Sequence, residues 1–329
     1  MPKVSIVIPV FNRERLIPRT IRSCLVQTEP DFEIVIVDDG STDGSREAVR
    51  RFDDPRLRLF TQPQNMGAAT ARNRGAAEAR ADWVMFVDSD DELVPEALAI
   101  IVEKIEESGS DVAALWFRCR LDDGTLTPAR IPKLGRLDLK DKLLLHEACI
   151  GESDDLVHVC RRSTFSKVKY PTNQGLEDLY LLNFSNCYLG CVCPEVLLLY
   201  HQDADNQLSQ RVRHFNRKHD LQFVMDRMTT IEEVLALYGT DIHRYAPSIY
   251  RDYISQLLTL KLLLGDRLGA FALLRPACSA GVGFSRILTV ASLGFVHSSL
   301  LAAAQGSSLR QRLRELTERR RLARSATGA

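Results

Sequence analysis

Two short apolar runs near the start of this chain each end in clustered carboxylates. Ile34-Val35-Ile36-Val37 leads into Asp38-Asp39, and Trp83-Val84-Met85-Phe86-Val87 leads into Asp88-Ser89-Asp90-Asp91. A continuous apolar run of that length reads as a strand buried on both faces of an α/β sheet. Ligands of such sheets bind in the crevice outside the carboxyl ends of the strands, so the acids stand where a ligand would be. Carboxylates crowded at one sheet edge repel one another unless a divalent cation and the donors of a ligand balance them, which points to a nucleotide and a metal. Helix capping and turn formation are the ordinary alternative for Asp and Ser, and either cluster alone is compatible with them.

The surrounding sequence fits a sheet of that kind. Over the first 120 residues strand and helix patterns alternate with short connections, as in βαβ units of a mainly parallel sheet flanked by helices. Strands are expected at Val4 to Val10, Phe32 to Val37, Leu57 to Thr61 and up to Asp88. Helices are expected at Arg15 to Gln27, Ser45 to Phe52 and from Gly67 to Ala79, with another begun by Pro95. Past Asp111 the alternation weakens. Val112 to Leu121 and Val196 to Tyr200 read as strands, Asp122-Asp123-Gly124 as a hairpin turn, and Leu137 to Cys149 and Leu176 to Tyr188 as helices. From Arg211 only helices are legible, roughly 211 to 238, 242 to 264, 267 to 279 and 284 to 304. These patterns divide the chain into a domain over 1–209, with a nucleotide-binding half to 120 and an acceptor half from 121, and a helical region over 210–329 that ends in a basic tail.

Charge narrows the partners. The chain has 43 basic and 43 acidic residues, so nothing global calls for nucleic acid. The balance is local: seven arginines (310, 312, 314, 319, 320, 321, 324) face Glu315 and Glu318 after residue 309, a net of +5. The apolar stretch before them, Ile287 to Ala304, is short and carries His297 and several hydroxyls, so it suits a membrane surface better than a span. A packed helix followed by a solvated tail is the plainer alternative. The eight cysteines form no even framework, and Cys187, Cys191 and Cys193 lack the paired spacing of zinc ribbons. With no leader pattern ahead of the first strand, a reducing cytoplasm is expected, with the protein soluble or peripheral on the inner face of the plasma membrane.

Five segments, in order, carry a resemblance. They are Val4-Ser5-Ile6-Val7-Ile8-Pro9-Val10-Phe11-Asn12, Val37-Asp38-Asp39-Gly40-Ser41-Thr42-Asp43, Asn65 to Gly75, Phe86-Val87-Asp88-Ser89-Asp90-Asp91 and Gly175-Leu176-Glu177-Asp178. Over roughly residues 1 to 205 the chain resembles the family 2 inverting glycosyltransferases, whose GT-A fold binds nucleotide sugars. The resemblance implies that Asp39 accepts the imide N–H of uracil and that Pro9, Val10, Phe11 and Asn12 wall the base pocket. It further implies that Asp90 holds Mg²⁺ or Mn²⁺, that Asp88 meets ribose or sugar hydroxyls with Ser89 beside it, and that Asp178, with Glu177, is the catalytic base. Chemistry agrees: a departing diphosphate needs its charge neutralised, and a hard cation takes one or two carboxylates with phosphate and water. Asp88 and Asp90 would share one face of an extended segment. Arg72 and Arg74 are candidates for the nucleobase or phosphates, which a guanidinium fork suits. Two departures stand out. His201 follows Tyr200 where many relatives have a basic residue, and it is a candidate for the metal or the diphosphate. The helix after Gly175 lacks the basic residue that often follows the acidic pair, and Asn183 or Asn186 stands there instead.

The expectation is an inverting, metal-dependent transfer of sugar from a UDP-sugar to a glycan or lipid-linked acceptor of a bacterial envelope. A homo-oligomer is compatible with the sequence. The alternatives are a sugar nucleotidyltransferase, which would need a glycine- and basic-rich loop after the first strand, and a non-catalytic nucleotide-binding partner protein.

Overall fold

The structure is a computed structural model that describes residues 1–150, 155–172, 177–201 and 221–283. Strand β1 (Val4–Val10) is buried at every position, as its run of β-branched residues requires. It pairs in parallel with β2 (Phe32–Asp38) on one side and β4 (Trp83–Phe86) on the other, and β2 pairs in parallel with β3 (Leu57–Thr61). The connecting helices are α1 (Ile17–Leu25), α2 (Ser45–Arg50), α3 (Ala68–Glu78) and α4 (Ala97–Glu107). Helix α1 starts two residues later than Arg15. Arg13 to Leu16 form a turn in which the Arg13 carbonyl accepts from Leu16 and Ile17, and Pro18 then sits in the first helical turn, where its missing N–H is harmless. Helix α3 lies directly on β1: a Cβ at Gly75 would come 2.2 Å from a Val7 methyl, so that position has no room for a side chain.

Beyond α4 the sheet is mixed. Strand β6 (Val112–Leu121) turns through Asp123-Gly124 into β7 (Leu126–Thr127), as the hairpin signal suggested, and β10 (Leu189–Tyr200) runs parallel to β6. Strand β9 (Leu156–Arg161) inserts antiparallel between β4 and β6. The sequence did not announce it, because His158 and Arg161 interrupt the apolar pattern of Leu-Val-His-Val-Cys-Arg. Strand β10 begins seven residues before Val196. Gly190 and Pro194 read as breaks, but the pairing with β6 shifts register between Val192 and Val196 and so absorbs the proline. Short strands β5 (Glu92–Leu93) and β8 (Gly135–Leu137) both pair antiparallel with β10. The sheet order is β3-β2-β1-β4-β9-β6-β10-β5, with β7 and β8 on the flanks.

Helix α5 (Leu139–Ala148) opens with a capping box between Asp138 and Asp141, and α6 (Glu177–Cys187) follows a short 3-10 turn at Arg162–Ser166. Helix α7 (Leu221–Tyr245) runs through Gly239, where a break was expected, and ends just before Pro247 opens α8 (Pro247–Leu263). The helix expected over 267–279 is two, α9 (Arg267–Ala272) and α10 (Leu274–Ser279). Pro276 offers no N–H to the Ala272 carbonyl, so one continuous helix is interrupted there. Two compact units result, Met1–Ile249 and Tyr250–Ala329. The helix expected over 284–304, the basic tail, Gly175-Leu176 and the start of the helix expected from 211 lie outside the described residues. No helix among the described residues is long and apolar enough to cross a membrane, and no disulfide joins the cysteines of the described residues.

One face of the sheet packs Ile6, Ile8, Ile34 and Ile36 with Ile17 and Ile21 of α1 and Leu98 and Ile101 of α4. The other carries an aromatic cluster of Trp116, Phe165, Tyr170, Tyr180 and Phe184. His158 lies inside that cluster, stacked on Trp116 at 5.6 Å between ring centroids and edge-on to Phe184 at 5.0 Å. Among the described residues neither ring nitrogen has a hydrogen-bond partner. Burial, helped by the Lys142 charge, pulls its pKa down to about 3. The fold therefore holds the neutral ring. Its contribution is fully present above the ordinary histidine pKa of about 6.5 and is lost as pH falls toward the folded value. Urea unfolding should lose about 2 kcal/mol from this residue between pH 7 and pH 4.5. His158→Phe should flatten that part of the curve, and an unchanged acid slope in the variant would count against the assignment.

Candidate functional site

Because β1, β2 and β4 run parallel, their carboxyl ends meet at one edge. There the chain after β1 is stitched to the chain after β2. Asn12 adopts a left-handed backbone (φ 54°), its N–H donates to Ser41 Oγ at 3.0 Å, and its Oδ1 accepts from the Thr42 N–H at 2.9 Å. Gly40 is needed for the same turn: its φ is 72°, and a Cβ would lie 2.5 Å from the Gln64 carbonyl carbon. Pro9 and Val10 are buried within β1, while Phe11 and Asn12 are half-buried at its end. The Val10 carbonyl accepts the Asp39 N–H at 2.8 Å.

The Asp39 carboxylate is 2 % exposed and accepts three hydrogen bonds, from Gln62 Nε2 at 2.7 Å and from the N–H groups of Met66 and Gly67 at 2.8 and 2.7 Å. It pins the loop that leads into α3. Burial raises its pKa against the pull of these donors, and the neighbouring Asp38 adds to the rise. Asp38, equally buried, accepts from the Ser41 N–H and faces Arg46 Nε at 3.4 Å.

The second acidic cluster is a turn and not the extended segment that the sequence suggested. Strand β4 stops at Phe86, and the Asp91 N–H donates to the Asp88 carbonyl at 3.3 Å. Alternation therefore does not set which way these side chains face; the arginines around them do. Asp88, half-exposed, accepts from Arg72 Nη2 at 2.7 Å. Asp90 lies 3.7 Å from Arg13 Nε, and its carbonyl accepts from Arg19 Nη2 at 2.5 Å. Ser89 is buried beside them. Burial, and then the charge of Asp88, raises the Asp90 pKa. Asp91 is pushed up to about 9 by burial and by Asp88 and Asp90, so it carries a proton at neutral pH.

Strand β5 brings this turn against the end of β10. The His201 N–H donates to Asp91 Oδ1 at 3.1 Å, and its ring stands between two acids, with Nε2 2.9 Å from Glu92 and Nδ1 2.6 Å from Asp122. As a metal ligand it would have to release one of them. Asp88 and Asp90 do fit a hard divalent cation: both offer carboxylate oxygens, and after burial the charge of Asp88 is the next cause that raises the Asp90 pKa. Among the described residues no group of three or more His, Cys, Asp or Glu is arranged to hold a metal, so phosphate and water would complete the shell.

Arg72 is 7 % exposed, and its guanidinium lies 5.5 Å over the Tyr170 ring. Asn73 clasps the Tyr170 backbone, donating to its carbonyl at 2.8 Å and accepting its N–H at 2.9 Å. Tyr170 stacks on Tyr180 of α6 with centroids 3.8 Å apart. Asp178 sits one turn-half earlier on that helix, half-exposed, and accepts from Arg227 Nη1 of α7 at 3.3 Å. Glu177 opens α6, and its side chain lies outside the described ones. Arg74 does not join the site: it donates to the Thr61 carbonyl and packs over Phe60. Asn183 accepts from the Tyr238 hydroxyl at 2.6 Å. Arg13, Arg19, Glu92, Asp122, Tyr170 and Arg227 escaped the sequence reading. Arg13 and Arg19 could have been suspected from their place after β1; the distant Tyr170 and Arg227 carry no local signal.

Residues 5–160 match the sequence model of Glycosyl transferase family 2, and this segment is a domain of that family. Among curated relatives, the succinoglycan biosynthesis protein ExoO of Rhizobium meliloti is 36 % identical over 113 residues, 34 % of this chain and 32 % of that protein. The GalNAc(5)-diNAcBac-PP-undecaprenol beta-1,3-glucosyltransferase of Campylobacter jejuni is 36 % identical over 115 residues, 34 % of this chain and 37 % of its own length. The chain thus spans about a third of these relatives. Residues 1–349 of S. aureus TarS, crystallised with UDP-GlcNAc, superpose with a TM-score of 0.61 at 16 % identity, covering 88 % of this chain and 91 % of that one. The mannosyltransferase PcManGT of Pyrobaculum calidifontis, in complex with GDP-Man and Mn²⁺, gives 0.52 at 19 % identity, covering 93 % and 88 %. At such identities the likeness is one of fold, and the fold is of the GT-A type.

Asp39→Ala would strand the donors of Gln62, Met66 and Gly67 in a buried place, so urea denaturation at pH 7 should show a loss of about 2 kcal/mol. Arg74→Ala, on the outer face of α3, should stay within about 0.5 kcal/mol of the parent. Equal midpoints for the two variants would refute this division.

Proposed function

We propose that this protein is an inverting glycosyltransferase that moves a sugar from a UDP-sugar to a glycan or lipid-linked acceptor in bacterial envelope polysaccharide synthesis. The observation that carries the proposal is the meeting of Asp39, Asp88 and Asp90 at the carboxyl edge of the sheet, linked through Arg72, Tyr170 and Tyr180 to the helix that bears Asp178. TarS with UDP-GlcNAc and the Campylobacter glucosyltransferase support the donor and the acceptor class. On this reading 1–209 is the transfer domain and 210–329 an accessory helical region.

Asp39 and the backbone from Pro9 to Asn12 receive the base, and Gln62, Met66 or Gly67 gives up a bond to Asp39 as it does so. Asp88 and Arg72 orient the ribose and the donor sugar. Asp178 takes the proton of the acceptor hydroxyl as its oxygen bonds to the anomeric carbon from the face opposite the diphosphate. The bond from that carbon to the diphosphate oxygen breaks with its electron pair on the leaving group. Mg²⁺ or Mn²⁺, held by Asp90 with Asp88, would supply neutralisation of the diphosphate charge. Arg13 stands beside the Asp90 carboxylate, and Arg19, which donates to the Asp90 carbonyl and faces Glu92, adds positive charge close by.

Calorimetry with UDP, GDP and dTDP, with and without Mn²⁺, tests the donor site. Micromolar UDP binding that needs the cation and weakens in Asp90→Ala is expected, and no binding of any nucleotide would remove the proposal. Asp178→Asn should bind UDP as the parent does and lose transfer; near-normal turnover would rule out its role as base.

For the acceptor side we infer contact with an anionic membrane surface. Leu268 and Phe271 are 87 % and 74 % exposed on α9, with Arg267 and Arg275 close in sequence and seven arginines after residue 309. The full chain should co-sediment with vesicles containing phosphatidylglycerol and much less with phosphatidylcholine alone. Leu268→Asp with Phe271→Asp should reduce the binding, and equal binding to both vesicle types would contradict an electrostatic surface contact.

A further inference from the structure

We propose that Arg227 is the positioning residue of Asp178: a cation delivered to the base from α7, outside the family 2 segment. The inference rests on the reading of Asp178 as base. Helix α6 has no arginine or lysine of its own between Glu177 and Cys187. The positive charge at its acidic start arrives instead from a helix 49 residues further along the chain, with Arg227 Nη1 3.3 Å from Asp178 Oδ2.

Arg227 is not a loose surface side chain. On α7 the buried stripe is Val224, Met228, Ile231, Val234, Tyr238 and Ile242, and Arg227 borders it with its side chain 19 % exposed. Tyr238 follows Arg227 by 11 residues, about three helical turns, and so shares its face. Its hydroxyl donates to Asn183 of α6 at 2.6 Å. Helix α7 is therefore fastened to α6 at a second point, and Arg227 is held in register with Asp178.

The two possible consequences of this pair differ in size. Asp178 is 38 % exposed, and an ion pair so open to solvent contributes little to stability. Its geometric effect on chemistry is larger. A base must meet the acceptor proton within hydrogen-bond reach, and it is oriented for that by a third group; a displacement of about 1 Å can cost on the order of a hundredfold in rate. Loss of Arg227 should therefore show in turnover and hardly at all in melting temperature or nucleotide affinity.

The test uses the full chain with Mn²⁺, measuring UDP release from UDP-glucose, UDP-galactose and UDP-GlcNAc with water as acceptor, beside UDP calorimetry and thermal unfolding. Arg227→Met should lower kcat about 10- to 100-fold while UDP affinity stays within about twofold. Arg227→Lys should retain more activity than Arg227→Met, and added guanidinium should restore part of the rate of Arg227→Ala. Tyr238→Phe, which removes only the second fastening, should stay within about threefold. Parent-like turnover in Arg227→Met overturns the inference, as do equal losses in Arg227→Met and Tyr238→Phe, which would mean helix packing. If Arg227→Met does not fold, Arg227→Lys and the guanidinium response decide. An active Asp178→Asn removes the base reading itself, whereas an inactive Asp178→Asn beside an active Arg227→Met removes this inference alone. A parent that turns over none of these donors removes both.

Discussion

The parallel pairing of β1 with β2 and β4 is the constraint from which the site follows. With Val10 opposite Asp38 and Val7 opposite Phe86, the three strands have no freedom to place their carboxyl ends elsewhere. Three of the residues proposed for the donor side leave the sheet within a few positions of that line: Asn12 after β1, Asp39 after β2, Asp88 after β4. A slip of one residue in either pairing would turn buried side chains to the opposite face and break the buried hydrogen bond from Ser5 to Glu33, which the packing on both faces of β1 forbids. The hydrophobic core thus fixes the position of the acids.

That placement creates an electrostatic problem, and the chain answers it with arginines and protons. Asp38 faces Arg46, Asp88 faces Arg72, and Asp90 lies beside Arg13 and Arg19. Asp91, the most enclosed of the second cluster, is pushed up to about 9 and stays neutral. Two kinds of carboxylate come from one tetrapeptide: Asp88 and Asp90 stand beside arginines, while Asp91 is a hydrogen-bonding group that holds the His201 backbone. A ligand entering here exchanges partners with existing ion pairs, which limits both its net affinity and the cost of the empty state.

Much of this was legible in the sequence. Strands β1, β3 and β6 fall on the expected residues, because apolar runs of strand length, β-branched in β1 and carrying aromatics in β3 and β6, fit a sheet and are bounded by turn residues. The acids at the sheet edge were legible for the same reason. What was hidden depends on contacts between distant segments. Strand β9 exists because β4 and β6 need a partner between them, and its own residues half conceal it. The turn at Asp88–Asp91 looked extended because aspartate and serine serve both states, and only the Asp91-to-Asp88 hydrogen bond decides. His201 looked free for metal because Glu92 and Asp122 are far away in sequence.

The aromatic cluster explains how two such distant sets of residues can act together. Arg72 is buried between Asp88 and the Tyr170 ring, Tyr170 is clasped by Asn73 and stacked on Tyr180, and Tyr180 stands two residues after Asp178. Each step is short, and most of the members are packed below the surface, so α6 cannot shift against α3 without breaking a ring stack or the hold of Asn73 on Tyr170. The donor-side carboxylate and the start of α6 are in this way parts of one rigid floor. Helix α7 then completes it from the other side, since Arg227 and Tyr238 reach α6 from beyond the family 2 segment. A sheet edge supplies the acids; the spacing between them and Asp178 is set by aromatic packing and by a helix whose sequence carries no sign of that task.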